Sequence, residues 1–115
     1  MNDSHLIWEA YIENESFDAV ILIDLLKSNG FKNHDDERGK DNSFQLSFAW
    51  SHGDDYIVVT VFGQGGQAVF IETHIGYAGH EHYKQYVDLD SESKYQDIAV
   101  DVLSAQEGIL KAARR

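Results

Sequence analysis

The residues best equipped for chemistry are His80-Glu81-His82, with His74 a few positions upstream at the end of an expected strand. On a strand, His80 and His82 point to one face. Together with His74 or a carboxylate they could offer zinc or another divalent cation two or three ligands. The competing reading is a pair of exposed histidines in a glycine-flanked loop. Asp54-Asp55 pairs two carboxylates in a way that suits acid–base work, but a glycine-containing turn leaves such acids ionised and solvated. Gly63-Gln64-Gly65-Gly66 has the look of a phosphate cradle. It lacks the lysine and hydroxyl residue of a Walker loop and joins two strands rather than opening a helix, so a hairpin turn explains it. With no cysteine and no Gly-x-Ser-x-Gly elbow, nucleophilic catalysis has little support. No cofactor is expected, and the sequence favours binding over catalysis.

Acidity is the more informative chemistry. The 115 residues include 20 Asp and Glu against 9 Lys and Arg, a formal charge of −11. Such a field repels nucleic acid and anionic membrane surfaces, and it speeds encounter with basic proteins. Acidity for solubility alone is the plain alternative. The acids are grouped, however. Asp35-Asp36-Glu37 forms a run, Asp54, Asp55, Glu72, Asp88 and Asp90 follow, and residues 43–79 hold three acids with no Lys or Arg. Tyr83 and Tyr86 lie nearby in sequence. Aromatic anchors ringed by carboxylates suit a basic protein surface, so these ten residues form the expected partner-binding set.

The elements that must position them follow from patterning. His5 to Glu13 alternates as a half-buried strand, although Leu6, Ile7, Ala10 and Tyr11 also fit a helical repeat. Asn14 or Ser16 caps a helix from about Phe17 to Ser28, apolar almost all round and therefore expected to be buried on more than one side. Asn29-Gly30-Phe31 suits a left-handed end to that helix. Lys32 to Asn42 reads as a polar loop. Three strands follow: one around Phe44 to Trp50 whose polar face is expected to be wet, one from Tyr56 to Phe62, and one from Gln67 to Tyr77. Tyr83, Gln85, Val87 and Leu89 suggest a further short edge strand. Asp90 or Ser91 then caps a helix with Tyr95, Ile98, Ala99, Val102, Leu103, Ile109 and Leu110 in one stripe.

The expected fold is a single α+β domain spanning residues 1–115. It has an antiparallel sheet of about four strands with two helices on one face, in the order β-α-β-β-β-α. The absence of cysteine, of a basic leader followed by an apolar stretch, and of any apolar run longer than Ala19 to Ile23 leads to the expectation of a cytoplasmic protein.

A small, acidic, cysteine-free α+β chain with an acid-rich loop and exposed aromatics resembles the immunity proteins of bacterial toxin systems, those of contact-dependent growth inhibition and polymorphic toxins among them. The likeness lies in size, charge and architecture over the whole chain rather than in a motif. It implies that acidic side chains occupy or flank the basic cleft of a toxin, most naturally a nuclease, and block its substrate. The same electrostatics would serve a phage-type anti-restriction or anti-CRISPR inhibitor. A small histidine-based metal protein or enzyme, and a chaperone-like module acidic only for solubility, are the remaining readings.

Overall fold

The computed structural model describes residues 17–39, 43–64, 67–89 and 92–113. The expected strand at residues 5–13, the caps at Asn14, Ser16, Asp90 and Ser91, and the candidate Asp90 lie outside them.

Helix α1 (Phe17–Ser28) ends where Asn29-Gly30-Phe31 leads us to expect. Gly30 takes φ +90°, its N–H donates to the Lys27 carbonyl at 3.2 Å, and the Phe31 N–H donates to the Leu26 carbonyl at 3.0 Å. That pair of bonds is the Schellman cap, and it satisfies carbonyls the helix leaves orphaned. Phe31 is thereby turned into the core at 2% exposure, where it stacks with Trp50.

Five strands follow, each hydrogen-bonded to the next in chain order and all antiparallel: β1 (Lys32–Arg38), β2 (Phe44–His52), β3 (Asp55–Gln64), β4 (Gln67–Tyr77) and β5 (His80–Tyr86). Helix α2 (Glu92–Ala113) closes the described chain. The α+β class, the antiparallel sheet and both helices are as read from the sequence, but the sheet is larger than four strands. Lys32–Arg38 is not a loop. Its seven residues, KNHDDER, contain no apolar side chain, so alternation had nothing to register. The segment is held as an edge strand by main-chain pairing to β2, with a bulge between Asn33 and Asp35.

Period-two alternation divides the sheet into two faces. Phe44, Leu46 and Phe48 of β2, Ile57, Val59 and Val61 of β3, Ile71 of β4 and Tyr86 of β5 form one buried cluster with Leu22, Ile23 and Leu26 of α1 and Tyr95, Ile98, Ala99, Val102 and Ile109 of α2. Both helices therefore cover this one face. Burying each large apolar side chain contributes about 1.5–3 kcal/mol, and this cluster is what holds the opposite face in place. Gln106 of α2 donates from Nε2 to the Asn29 carbonyl at 2.8 Å, fastening one helix to the capped end of the other. Helix α1 packs on the sheet and beside α2, and its Ile21 and Leu25, 38% and 39% exposed, line an open groove with Ala99, Val100 and Leu103 of α2. No helix among the described residues is long and apolar enough to cross a membrane.

Candidate functional site

The face of the sheet turned away from the helices brings the chemistry-bearing residues together in rows set by the register. One row runs Ser51, Tyr56, Gly76, Glu81; the next Lys32, Ala49, Val58, His74, Tyr83; the third Ser47, Thr60, Glu72, Gln85; the last Glu37, Gln45, Phe62, Phe70.

Each row has a physical reason to be ordered. In the third, Ser47 and Thr60 share a hydrogen bond of 3.0 Å and are 6% and 7% exposed, so the polar face of β2 is not uniformly wet. In the last, Phe62 and Phe70 stack at 4.4 Å between centroids, beside a cleft of about 520 Å³ that Glu37, Gln45 and Val69 also line. In the second, the His74 and Tyr83 rings meet edge to face at 4.8 Å. In the first, the Tyr56 ring occupies the space above its partner Gly76 and reaches across it to donate a 2.9 Å hydrogen bond to Glu81 Oε1.

Two carboxylates are thus each held by a tyrosine hydroxyl. Tyr83 donates to Glu72 Oε1, and Tyr56 donates to Glu81. Both tyrosines titrate above their ordinary range, first because the hydroxyl is committed to a carboxylate, then through desolvation and the neighbouring negative charge. His74 Nε2 lies 3.9 Å from Glu72 Oε2. Tyr83 remains 56% exposed, so an apolar ring with fixed acids at its border faces outward. Among the described side chains, Lys32 at the far edge is the one Lys or Arg on this face.

The nine expected partner-binding residues that are described do not form one surface. Glu72 and Tyr83 are joined on the open face, and Glu37 shares that face three strands away, about 14 Å from β4 at the usual strand spacing. Asp35 pairs with Ser47. Asp36 does not stand in a solvated loop: strand alternation turns it to the helix side, where Oδ1 accepts a 2.7 Å bond from Asn33 Nδ2 and Oδ2 is buried without a hydrogen-bond partner among the described residues. Asp54 is exposed in the β2–β3 turn, as expected. Asp55 is half-buried, and its Oδ1 accepts the Ala78 N–H at 3.1 Å, bracing one hairpin turn with the end of another. Tyr86 is 7% exposed on the helix side, donating to Asp101 Oδ2 at 2.7 Å, and so fastens β5 to α2 instead of reaching outward. Asp88 is exposed, in a left-handed conformation at φ +57°.

The histidines separate in the same way. His74 pairs with Tyr83 on the open face, whereas His82 pairs with Ile75 and His80 with Tyr77, two positions of opposite parity. His74 therefore cannot join the other two around one ion, and among the described residues no three His, Asp or Glu side chains are grouped to hold a metal. Sequence reasoning missed Tyr56, Gly76 and the Phe62–Phe70 pair. The signal was present: Tyr56, Val58, Thr60 and Phe62 alternate with Ile57, Val59 and Val61, and placing the latter set in the core sends the tyrosine and the phenylalanine outward together. Compared with known proteins, the chain matches no family model, no curated protein and no solved structure.

Proposed function

We propose that this is an acidic binding protein whose open sheet face receives a basic protein surface, acting as an immunity protein that neutralises a nuclease toxin. The observation that carries the reading is the pair of tyrosine-held carboxylates, Glu72 with Tyr83 and Glu81 with Tyr56, on a face where β2, β3 and β4 contribute no Lys or Arg. A carboxylate fixed before encounter loses less conformational freedom on binding than a free one. Nuclease clefts present Lys and Arg for phosphates, and a fixed array of carboxylates competes for those side chains while the whole-chain charge of −11 accelerates association. The exposed Tyr83 ring supplies the apolar anchor that charge alone lacks.

The test is to sequence the genes flanking this one for a basic nuclease domain, whose absence would count against the immunity reading, and to titrate any such domain calorimetrically with nuclease activity read in parallel. Tight, strongly salt-dependent binding that inhibits cleavage is expected, with a large loss in the Glu72→Lys, Glu81→Lys double variant. Unchanged affinity after that double reversal would overturn the assignment of the face.

A further inference from the structure

The two edges of the sheet are built differently. The β1 edge carries a bulge between Asn33 and Asp35, and five of its seven residues are charged, both of which discourage pairing. The β5 edge has no bulge, and only Glu81 and Lys84 of its seven residues carry a full charge. Its register runs unbroken from Tyr86 opposite Ile71 to His80 opposite Tyr77, and every residue but Tyr86 is exposed.

The turn into β5 fixes which main-chain groups face outward. Ala78 and Gly79 take φ +53° and +81°, both positive, as in a two-residue type I′ hairpin. In such a hairpin the flanking pair, Tyr77 and His80, exchanges both main-chain bonds, and bonded pairs then alternate with non-bonded ones. His82, Lys84 and Tyr86 consequently bond inward to β4, while the N–H and C=O groups of Glu81, Tyr83 and Gln85 point away from the sheet. These are the residues whose side chains lie on the acidic open face.

Resting on the reading that the partner is basic, we infer that the β5 edge accepts an extended basic segment of that partner as an added strand. Main-chain bonds to Glu81, Tyr83 and Gln85 supply affinity, and alternate side chains of the guest supply specificity. One set of guest side chains continues the open face and meets Glu81, Tyr83 and Glu72. The other set meets a groove of about 430 Å³ between β5 and α2, bordered by Val87 and Val100 and by the charged Lys84, Lys94, Asp97 and Asp101. Val87 and Val100 are 46% and 63% exposed, which suits apolar guest residues. The guest pattern is therefore Lys or Arg alternating with an aliphatic residue. A second copy of this chain is a poor guest, since each copy carries a charge of −11.

The experiment uses the ¹⁵N-labelled full chain and three capped hexapeptides: alternating Lys-Val, the same peptide N-methylated at alternate residues, and alternating Glu-Val. Binding of the Lys-Val peptide should slow amide exchange at Glu81, Tyr83 and Gln85, and N-methylation should weaken it about tenfold or more, the loss of one to two hydrogen bonds. The Glu-Val peptide should not bind. A Tyr83→Pro chain, lacking one outward donor, should lose binding relative to Tyr83→Ala while keeping its circular dichroism. Equal binding of the N-methylated peptide would overturn strand addition and leave the basic-partner reading intact. Protection appearing at Lys32–Arg38 instead, or no binding of the Lys-Val peptide, would also overturn it, while the nuclease titration judges the basic-partner reading separately.

Discussion

Tyr56 fills the place of a Gly76 side chain: a Cβ built on Gly76 would stand 2.2 Å from Tyr56 Cε1, well inside any real contact. The two residues face each other across β3 and β4, so the glycine is what lets the ring lie over the sheet and reach Glu81. Gly76→Ala must expel the ring. The expected cost is about 1–3 kcal/mol, the usual range for overpacking. Thermal unfolding should show the loss, and a crystal structure of the variant should show the Tyr56–Glu81 bond broken. Tyr56→Phe, which keeps the ring, should cost far less.

The Ser47–Thr60 pair offers a cleaner energetic test. Both hydroxyls are buried and bonded to each other at 3.0 Å. Ser47→Ala or Thr60→Val alone strands the remaining hydroxyl, and each should destabilise by about 1–3 kcal/mol, whereas the double variant should be close to neutral. A double-mutant cycle in urea reads the coupling directly. Additive single effects would show that the two hydroxyls do not depend on each other.

Tyr86 ties the fold to alkaline pH. Burial, then donation to Asp101 and the charge of Asp101, push its hydroxyl well above the ordinary tyrosine range, with Thr73 opposing in part. An unfolded tyrosine titrates near 10. Above that pH the folded chain retains a proton the unfolded chain has released, so this stabilising contribution is complete below pH 10 and declines as pH rises toward the folded value. Tyr86→Phe should cost about 1 kcal/mol at neutral pH through the lost hydrogen bond. Between pH 10 and 11.5 its stability should fall less steeply than that of the parent. Parallel urea-denaturation profiles would contradict this.

Ala78 sits at φ +53°, a left-handed conformation that costs a non-glycine residue roughly 1–2 kcal/mol. Its N–H bond to Asp55 helps hold it there. Asparagine tolerates this conformation, so Ala78→Asn should raise stability by about 0.5–1 kcal/mol. Asp55→Ala should lower it. Melting temperatures of the two variants should move in opposite directions.

Much of the scaffold was legible because burial writes itself into period. Phe44 to Trp50 and Tyr56 to Phe62 declared strands, Tyr95 to Leu110 declared a helix, and Asn29-Gly30-Phe31 declared the end of α1. Lys32–Arg38 was illegible for the same reason: an edge strand of charged residues is held by main-chain bonds, which leave no side-chain signature. The site was half-legible. Acidity and the candidacy of Glu72 and Tyr83 could be read, but their union depends on a hairpin register that no local pattern specifies. Tyr86 illustrates the limit, since only three-dimensional placement reveals that its neighbour is Asp101 of a helix fifteen residues on.

The bulge at the start of β1 has a consequence for assembly. A sheet receptive at both edges can serve as guest and host at once and so grow into a fibre, each added copy exposing a new template. Here one margin is receptive and the other is kinked and charged. Any chain that docks on β5 finds no continuation across the molecule, which fixes the stoichiometry at one guest per sheet and makes the domain a terminator of strand pairing instead of a link in it.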